Sequence, residues 1–427
     1  MTEVHERLDE LKELGLYRRM RMISGPQGPR VVLDGKPVLL LCSNNYLGLA
    51  DHPHVREAAS DAAMRWGVGA GASRLVSGTM TIHRRLEERL AAFKHGEAAL
   101  LFGSGYLANV GVISALAGSG TVVFSDELNH ASIIDGCRLA KADTFVYQHA
   151  DVEHLAWGLR KAEGRASAIV TDAVFSMDGD VAPLHEIVEL ARRHDVRVIV
   201  DEAHGTGCIG PGGRGAVHEA GLEGEVDVIV GTLGKALGSY GAYAVCEQAM
   251  AQLLVNTARP FIFSTAPPPP AVAGALAALE LLEEHPSRID KLQANAGVLR
   301  DELAKAGFEV AGSTTQIVPL VVGDARLAMR ICELAIEQGV FAQAIRPPTV
   351  PDGTSRLRLA VMASHTKAEL RDAAHALGRA ALQAGFRPGT GVPVVAAREA
   401  AAAQVRPREA AAAAGPFDFE ADVAQAA

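Results

Sequence analysis

The chain has 427 residues, enough for one large domain and a smaller companion. Hydrophobic residues make up 48% and charged ones 21%, and Lys plus Arg (41) fall short of Asp plus Glu (50) for a net charge of -9. That balance excludes a disordered chain and a basic nucleic-acid surface, and five scattered cysteines without a CxxC pair argue against disulfides or a cysteine zinc site and for a reducing, cytoplasmic compartment.

Val4 to Leu16 has apolar residues at helical spacing, and the first 22 residues are too charged to hold a secretory core. A Gly/Pro stretch from Gly25 to Pro29 precedes two β-like runs, Arg30 to Leu33 and Pro37 to Cys42. From Asn44 helices alternate with apolar strands. Thr81 to Lys94 reads as an amphipathic helix, Ala98 to Phe102 as a strand, Tyr106 to Leu116 as a helix and Thr121 to Ser125 as a strand. Ala166 to Ala173, Val196 to Asp201 and Val226 to Gly231 are β-branched and almost continuously apolar, with the helix Leu184 to Arg193 between two of them. Such runs are buried parallel strands, and the alternation predicts an α/β fold with a mostly parallel sheet covered on both faces. Pro260 to Leu279 is uncharged and long enough to span a bilayer, but Pro267 to Pro270 argue against a membrane helix. Helices at Ala271 to Glu284 and Arg288 to Ala306, then strands at Ile317 to Val322 and Arg356 to Val361, predict a smaller α+β domain. The expected division is an N-terminal helix and short β segment (1–43), a large α/β domain (44–270), a small C-terminal α+β domain (271–386) and an Ala/Pro-rich disordered tail (387–427).

The strand ending at Asp201 runs on as Glu202-Ala203-His204-Gly205-Thr206-Gly207, where the ligands of an open parallel sheet gather. Asp-Glu-Ala-His also occurs in nucleic-acid-stimulated ATPases, but those need an upstream GxxxxGK[ST] loop, which this chain lacks. In Thr232-Leu233-Gly234-Lys235-Ala236-Leu237-Gly238 a lysine sits between glycines just past a strand end. A lone lysine there reads as a solvated loop residue. With Asp201 one crossover upstream, it is placed to bind a pyridoxal aldehyde covalently, while the acid holds the pyridine nitrogen protonated. Gly103-Ser104-Gly105-Tyr106 at a helix start offers N–H groups for the phosphate.

Six blocks in order then resemble one family, the α-oxoamine synthases among the fold-type-I pyridoxal-phosphate (PLP) enzymes: Ser43-Asn44-Asn45-Tyr46-Leu47-Gly48-Leu49, Phe102 to Tyr106, Asn129-His130-Ala131-Ser132, Phe175-Ser176-Met177-Asp178-Gly179-Asp180, Asp201 to Gly207 and Thr232 to Lys235. The resemblance covers Arg18 to Phe386. It implies that Lys235 holds the cofactor and shuttles the α-proton, that Asp201 pairs with the ring nitrogen, and that His130 stacks on the ring. Ser176 and His204 would bond near the phenolic oxygen, and Gly105, Tyr106 and Thr232 would hold the phosphate. Asn44 and His130 fall with the substrate contacts. His130 alone would be an ordinary polar loop residue; its block gives it the role.

Ile345-Arg346-Pro347-Pro348-Thr349-Val350-Pro351, with Arg356-Leu357-Arg358 beyond, is similar to the branch serving biotin biosynthesis. That likeness implies that Thr349 contacts substrate and that Arg358 holds the amino-acid carboxylate. Arg18 would touch the acyl substrate, or stand as a solvated helix-end charge beside Arg19 and Arg21. The implied reaction is decarboxylative condensation of L-alanine with a pimeloyl thioester, on CoA or acyl carrier protein; the alternative is glycine with acetyl-CoA. A homodimer is implied, and no metal. A non-catalytic partner subunit of the same fold would lack the lysine.

Overall fold

The structure, a computed structural model, describes residues 2–387 and 389, apart from 163 and 311. The expected disordered tail lies, but for 387 and 389, outside the described residues. The apolar runs form a seven-stranded sheet in the order Ala98–Phe102, Ala242–Cys246, Val228–Thr232, Arg197–Asp201, Ala166–Asp172, Val122–Asp126, Asp143–Tyr147. Only Ala242–Cys246 runs antiparallel to its neighbours. Successive residues of each strand face opposite layers. Val123, Val170, Ile199 and Val230 pack with Val112, Ile133 and Leu254 of the helices Gly105–Leu116, Ala131–Ala140 and Gln248–Thr257. Phe124, Ile169, Val198 and Ile229 pack with Leu155, Ile187 and Val188 of the helices Val152–Lys161 and Leu184–His194. Helices on both faces explain why these strands read as unbroken apolar runs.

The strands that the sequence does not announce have physical reasons for their silence. Asp143–Tyr147 is an edge strand that buries only Phe145 and Tyr147. Ala242–Cys246 is wholly buried, yet two of its five residues are alanine, which carries no strand signal.

The C-terminal part forms an antiparallel sheet, Ile317–Gly323, Ser355–Ala360 and Gln343–Ile345. Leu303, Ile331 and Leu377, from the helices Ser287–Lys305, Ala325–Glu337 and Lys367–Ala384, join its core. The N-terminal strands are built into this end of the molecule. Lys36–Leu40 pairs with Arg30–Leu33 on one side and, in parallel, with Val340–Phe341 on the other. Where the two sheets' loops meet, Gly179 has φ +73, and a Cβ there would lie 2.2 Å from the Ile317 carbonyl oxygen. Only glycine fits. The contact presses the segment Phe175 to Asp180 against the C-terminal sheet.

Candidate active site

Asp201 ends its strand level with Asp172 on one neighbour and Val230 on the other. It is buried, and both carboxylate oxygens accept hydrogen bonds, Oδ1 from the Ala203 N–H at 2.7 Å and Oδ2 from the Asn109 amide at 2.6 Å. Asn109 also donates to Ser132 Oγ at 2.9 Å. Asp172 accepts from the His130 N–H at 2.8 Å. Burial first, and then the charge of Asp201, pushes the Asp172 carboxyl well up toward its neutral form, sparing the strand ends a second buried anion.

Lys235 lies in the connection between Val228–Thr232 and Ala242–Cys246. This loop is tight: the Gly238 N–H donates to the Lys235 carbonyl at 2.9 Å and the Ser239 N–H to the Leu233 carbonyl at 2.8 Å. Gly238 is the glycine it requires, with φ +61 and a would-be Cβ 2.4 Å from the Ala50 nitrogen. Gly234 has room for a Cβ, its nearest neighbour being 3.5 Å away.

The Lys235 amine meets His204 Nε2 at 2.8 Å, and His204 Nδ1 lies 2.6 Å from the Tyr46 hydroxyl. Tyr46 donates to Asn44 Oδ1 at 3.0 Å, and Arg358 donates to both Asn44 and Tyr46 at 3.1 Å. Burial pushes the Tyr46 phenol up to about 12, so it keeps its proton. With that single proton directed at Asn44, His204 Nδ1–H donates to Tyr46, and Nε2 is left to accept from the lysine. Burial, then the neighbouring Lys235, holds His204 well below its ordinary pKa and so neutral. Burial also lowers the Lys235 amine to about 8, against the pull of Asp201. An amine that is partly neutral near pH 7 is a usable nucleophile and base.

A cavity of about 230 Å³ opens over this network, lined by Asn44, His130, Ser176, His204, Lys235 and Arg358 among others. His130 caps the helix Ala131–Ala140 through its ring and Ser132. Ser104 caps Gly105–Leu116 by accepting from the Leu107 N–H, which leaves Gly105 and Tyr106 N–H without intrahelical acceptors. Thr232 stands beside them, its Cβ 4.0 Å from where a Gly105 Cβ would be. Such a helix start suits a phosphate; the Tyr106 hydroxyl is bonded to Asp135.

Arg18 and Thr349 do not line the lysine's cavity. They line a neighbouring one of about 560 Å³, together with Arg19, Arg21 and Arg346. Gln343 and Ile345 line both cavities, so the two adjoin. Arg18 donates to the Pro347 carbonyl at 3.1 Å.

Tyr46, Asn109 and Asp172 belong to the site, yet the sequence pattern assigns them no role. Asp172 has a signal, since it ends a strand as Asp201 does. Asn109 has none and Tyr46 only its place in the Ser43 to Leu49 block: their partners Asp201, His204 and Arg358 are 92, 158 and 312 residues away in the chain.

The segment carrying Ser176 is held by a buried ion-pair triad. His149 Nδ1 lies 3.0 Å from Asp126 Oδ1 and its Nε2 2.6 Å from Asp180 Oδ2, with the Phe175 ring edge-on at 4.3 Å. Burial is the largest single effect and lowers the imidazole, but hydrogen bonds and charges of both acids together raise it to about 9. Because the folded pKa lies above the unfolded one, the stabilisation is full below about pH 6.5 and is lost as pH rises through 9, a contribution of at most about 3 kcal/mol. In urea titrations, the gap in stability between the wild type and His149→Ala should therefore narrow from pH 6 to 9. A constant gap would mean that the triad is not charged.

The model of the family Aminotransferase class I and II matches residues 36–377. The 8-amino-7-oxononanoate synthase of Citrifermentans bemidjiense is 53% identical over 377 residues, 88% of this chain and 97% of that one. Serine palmitoyltransferase from S. paucimobilis, solved with a bound PLP–myriocin aldimine, superposes with a TM-score of 0.85 at 33% identity over 90% of this chain and 98% of that one. The 8-amino-7-oxononanoate synthase of Francisella tularensis gives 0.71 at 26% identity over 82% and 99%. A family model over most of the chain and a relative more than half identical along nearly its whole length show the lineage: the chain belongs to the aminotransferase class I and II family, within its α-oxoamine synthase group.

Proposed function

We propose that the chain condenses L-alanine with a pimeloyl thioester, on CoA or acyl carrier protein, to give 8-amino-7-oxononanoate for biotin synthesis, with PLP as cofactor. The observation that carries this reading is Arg358. The residue is 6% exposed, shares a cavity with Lys235, and its guanidinium pairs with no carboxylate among the described residues. Arg356, two residues earlier and equally buried, is neutralised by Asp178, as Arg74 is by Glu87. A buried guanidinium with neutral acceptors only is a costly arrangement that a substrate carboxylate would complete.

The residues present fit PLP: an amine lowered by burial, an acid at the adjacent strand end, and a helix start with N–H groups free of intrahelical acceptors. When bound, the cofactor supplies a sink for the electrons left at the amino acid's α-carbon. Lys235 holds the aldehyde and later takes the α-proton on its Nζ. His204 orients that amine through Nε2, itself fixed by Tyr46. Asp201 would hold the ring nitrogen's proton, and Gly105, Tyr106 and Thr232 would hold the phosphate. His130 would stack on the ring, Ser176 would hydrogen-bond near its phenolic oxygen, and Arg358 with Asn44 would fix the substrate carboxylate. The adjoining arginine-rich cavity, with Arg18 and Thr349, takes the acyl thioester.

The test is thiol release by PLP-loaded protein given alanine or glycine with pimeloyl-CoA or acetyl-CoA. Alanine with pimeloyl-CoA should turn over fastest; faster turnover with glycine and acetyl-CoA would overturn the assignment. Arg358→Lys, which keeps the charge but loses the fork, should raise the KM for alanine roughly 10- to 100-fold with a smaller change in kcat. An unchanged KM would place the carboxylate elsewhere.

A cytoplasmic homodimer fits this reading. Five free cysteines suit a reducing compartment. Leu75, Val76 and Phe263 are 53, 79 and 70% exposed on segments joined by the bridge between Ser73 and Thr265. A second copy covering that apolar group would account for it. Light scattering should give twice the chain mass and Val76→Asp a monomer; a monomeric wild type would exclude the dimer.

A further inference from the structure

Outside the cavity lining, three side chains converge that the proposed reaction does not use. His95 follows the helix Thr81–Phe93 in the turn after Lys94, His218 lies in the short helix Ala216–Glu219, and Glu223 is in the loop beyond. Their ligand atoms all lie within 4.8 Å of one another, and the two imidazoles are 5.2 Å apart at 65°. His218 is 4% exposed, and neither ring nitrogen has a hydrogen-bond partner. A fully buried imidazole normally satisfies at least one nitrogen. One whose two nitrogens are both idle, facing another imidazole and a carboxylate, is a group waiting for a Lewis acid.

We propose that His95, His218 and Glu223 form a binding site for a zinc-class transition-metal ion, separate from the catalytic cavity. Two imidazoles and a carboxylate are the donors that Zn²⁺ takes, with water in the fourth position, whereas Mg²⁺ and Ca²⁺ prefer all-oxygen sets. In a tetrahedral Zn²⁺ site the ligand atoms stand roughly 3.4 Å apart. Closing from 4.8 Å asks about 1 Å of movement from His95 and Glu223, both exposed and able to rotate. Charges around the site act in both directions. Lys94, which donates to the Arg214 carbonyl, and Arg214 itself oppose a cation, while Glu223 and the nearby Glu202 favour one. Burial, then Lys94, holds His218 down to about 4, so it is neutral and ready to ligate at neutral pH. The site also touches the machinery indirectly. Val217, beside His218, donates its N–H to Glu202 Oε1 at 2.8 Å, and Glu202 follows Asp201. A metal would thus tie the turn at His95 to the segment that follows the cofactor-binding acid.

The experiment uses tag-free, PLP-loaded protein stripped with a chelator, titrated with Zn²⁺ alone, and read by metal analysis after gel filtration and by the visible bands of bound Co²⁺. One equivalent per chain is expected, with at least a ten-fold loss of affinity in His95→Ala and in Glu223→Gln. Both replacements are at exposed positions and should leave the fold and basal activity intact, so a misfolded His218→Ala variant would not decide the matter. Absence of saturable binding, or binding unchanged in His95→Ala, overturns the proposal.

Discussion

Lys235→Ala should abolish the visible absorption of protein-bound PLP and lower turnover by at least about 10³-fold, because the proposed mechanism makes one amine both the covalent anchor and the proton carrier. Its effect on stability has the opposite sign. Burial depresses the amine from 10.5 to about 8, so the folded chain resists a proton that the unfolded chain accepts. For such a group the penalty is full below pH 8 and disappears as pH rises through 10.5, amounting to at most about 3 kcal/mol. The cofactor-free alanine variant should therefore be at least as stable as the wild type at pH 7, and that advantage should vanish above pH 10. External amines small enough for the cavity should restore part of the turnover. A visible band that persists in the variant would move the covalent link to another lysine, and a variant less stable at pH 7 would mean that the amine is not penalised by burial.

What can be read along the chain is whatever is local. The parallel strands announce themselves because helices cover both faces and every residue must be apolar, and the letters alone put Asp201 and Lys235 at strand ends. The helix start proposed to hold the phosphate is equally legible, since Gly105 and Tyr106 open a helix whose Ser104 cap is adjacent in sequence. Legibility ends where partners are distant. Tyr46 fixes the tautomer of His204 and braces Arg358 across hundreds of residues, and no spacing rule reports such a contact. Arg358 shows the same limit from another side. That it is buried without an acid, while Arg356 has Asp178, follows from the register of Ser355–Ala360 against Ile317–Gly323 and the press of the Phe175 to Asp180 segment, not from the letters Arg-Leu-Arg. The separation of Thr349 and Arg18 into an adjoining cavity is likewise tertiary. The triad at His149 joins three elements whose residues are 23 and 31 apart, and it too is silent.

Asp201→Asn should lower kcat by roughly 10²- to 10³-fold, the scale of removing one preorganised charge from a reacting centre. The difficulty is that this carboxylate also has a structural duty. Both its oxygens accept from N–H donors, the Ala203 backbone and the Asn109 amide. An asparagine can accept from only one, so its own NH₂ must face another donor, at a cost of about 1–3 kcal/mol. A loss of activity in the single variant would therefore not separate the lost charge from a disturbed strand end. The Asn109 contact offers the separation. In Asn109→Asp with Asp201→Asn, the donor and acceptor across the 2.6 Å contact are exchanged, and Ser132 can donate to residue 109 only by giving up its 2.7 Å hydroxyl contact with His130 Nδ1, a smaller cost than the one relieved. The double variant should recover most of the stability lost by Asp201→Asn, while kcat stays depressed because the charge no longer sits at the strand end. Recovery of both would show that Asp201 acts through position alone, and that a neutral acceptor there is enough for the ring nitrogen. Recovery of stability without turnover would assign its role to charge.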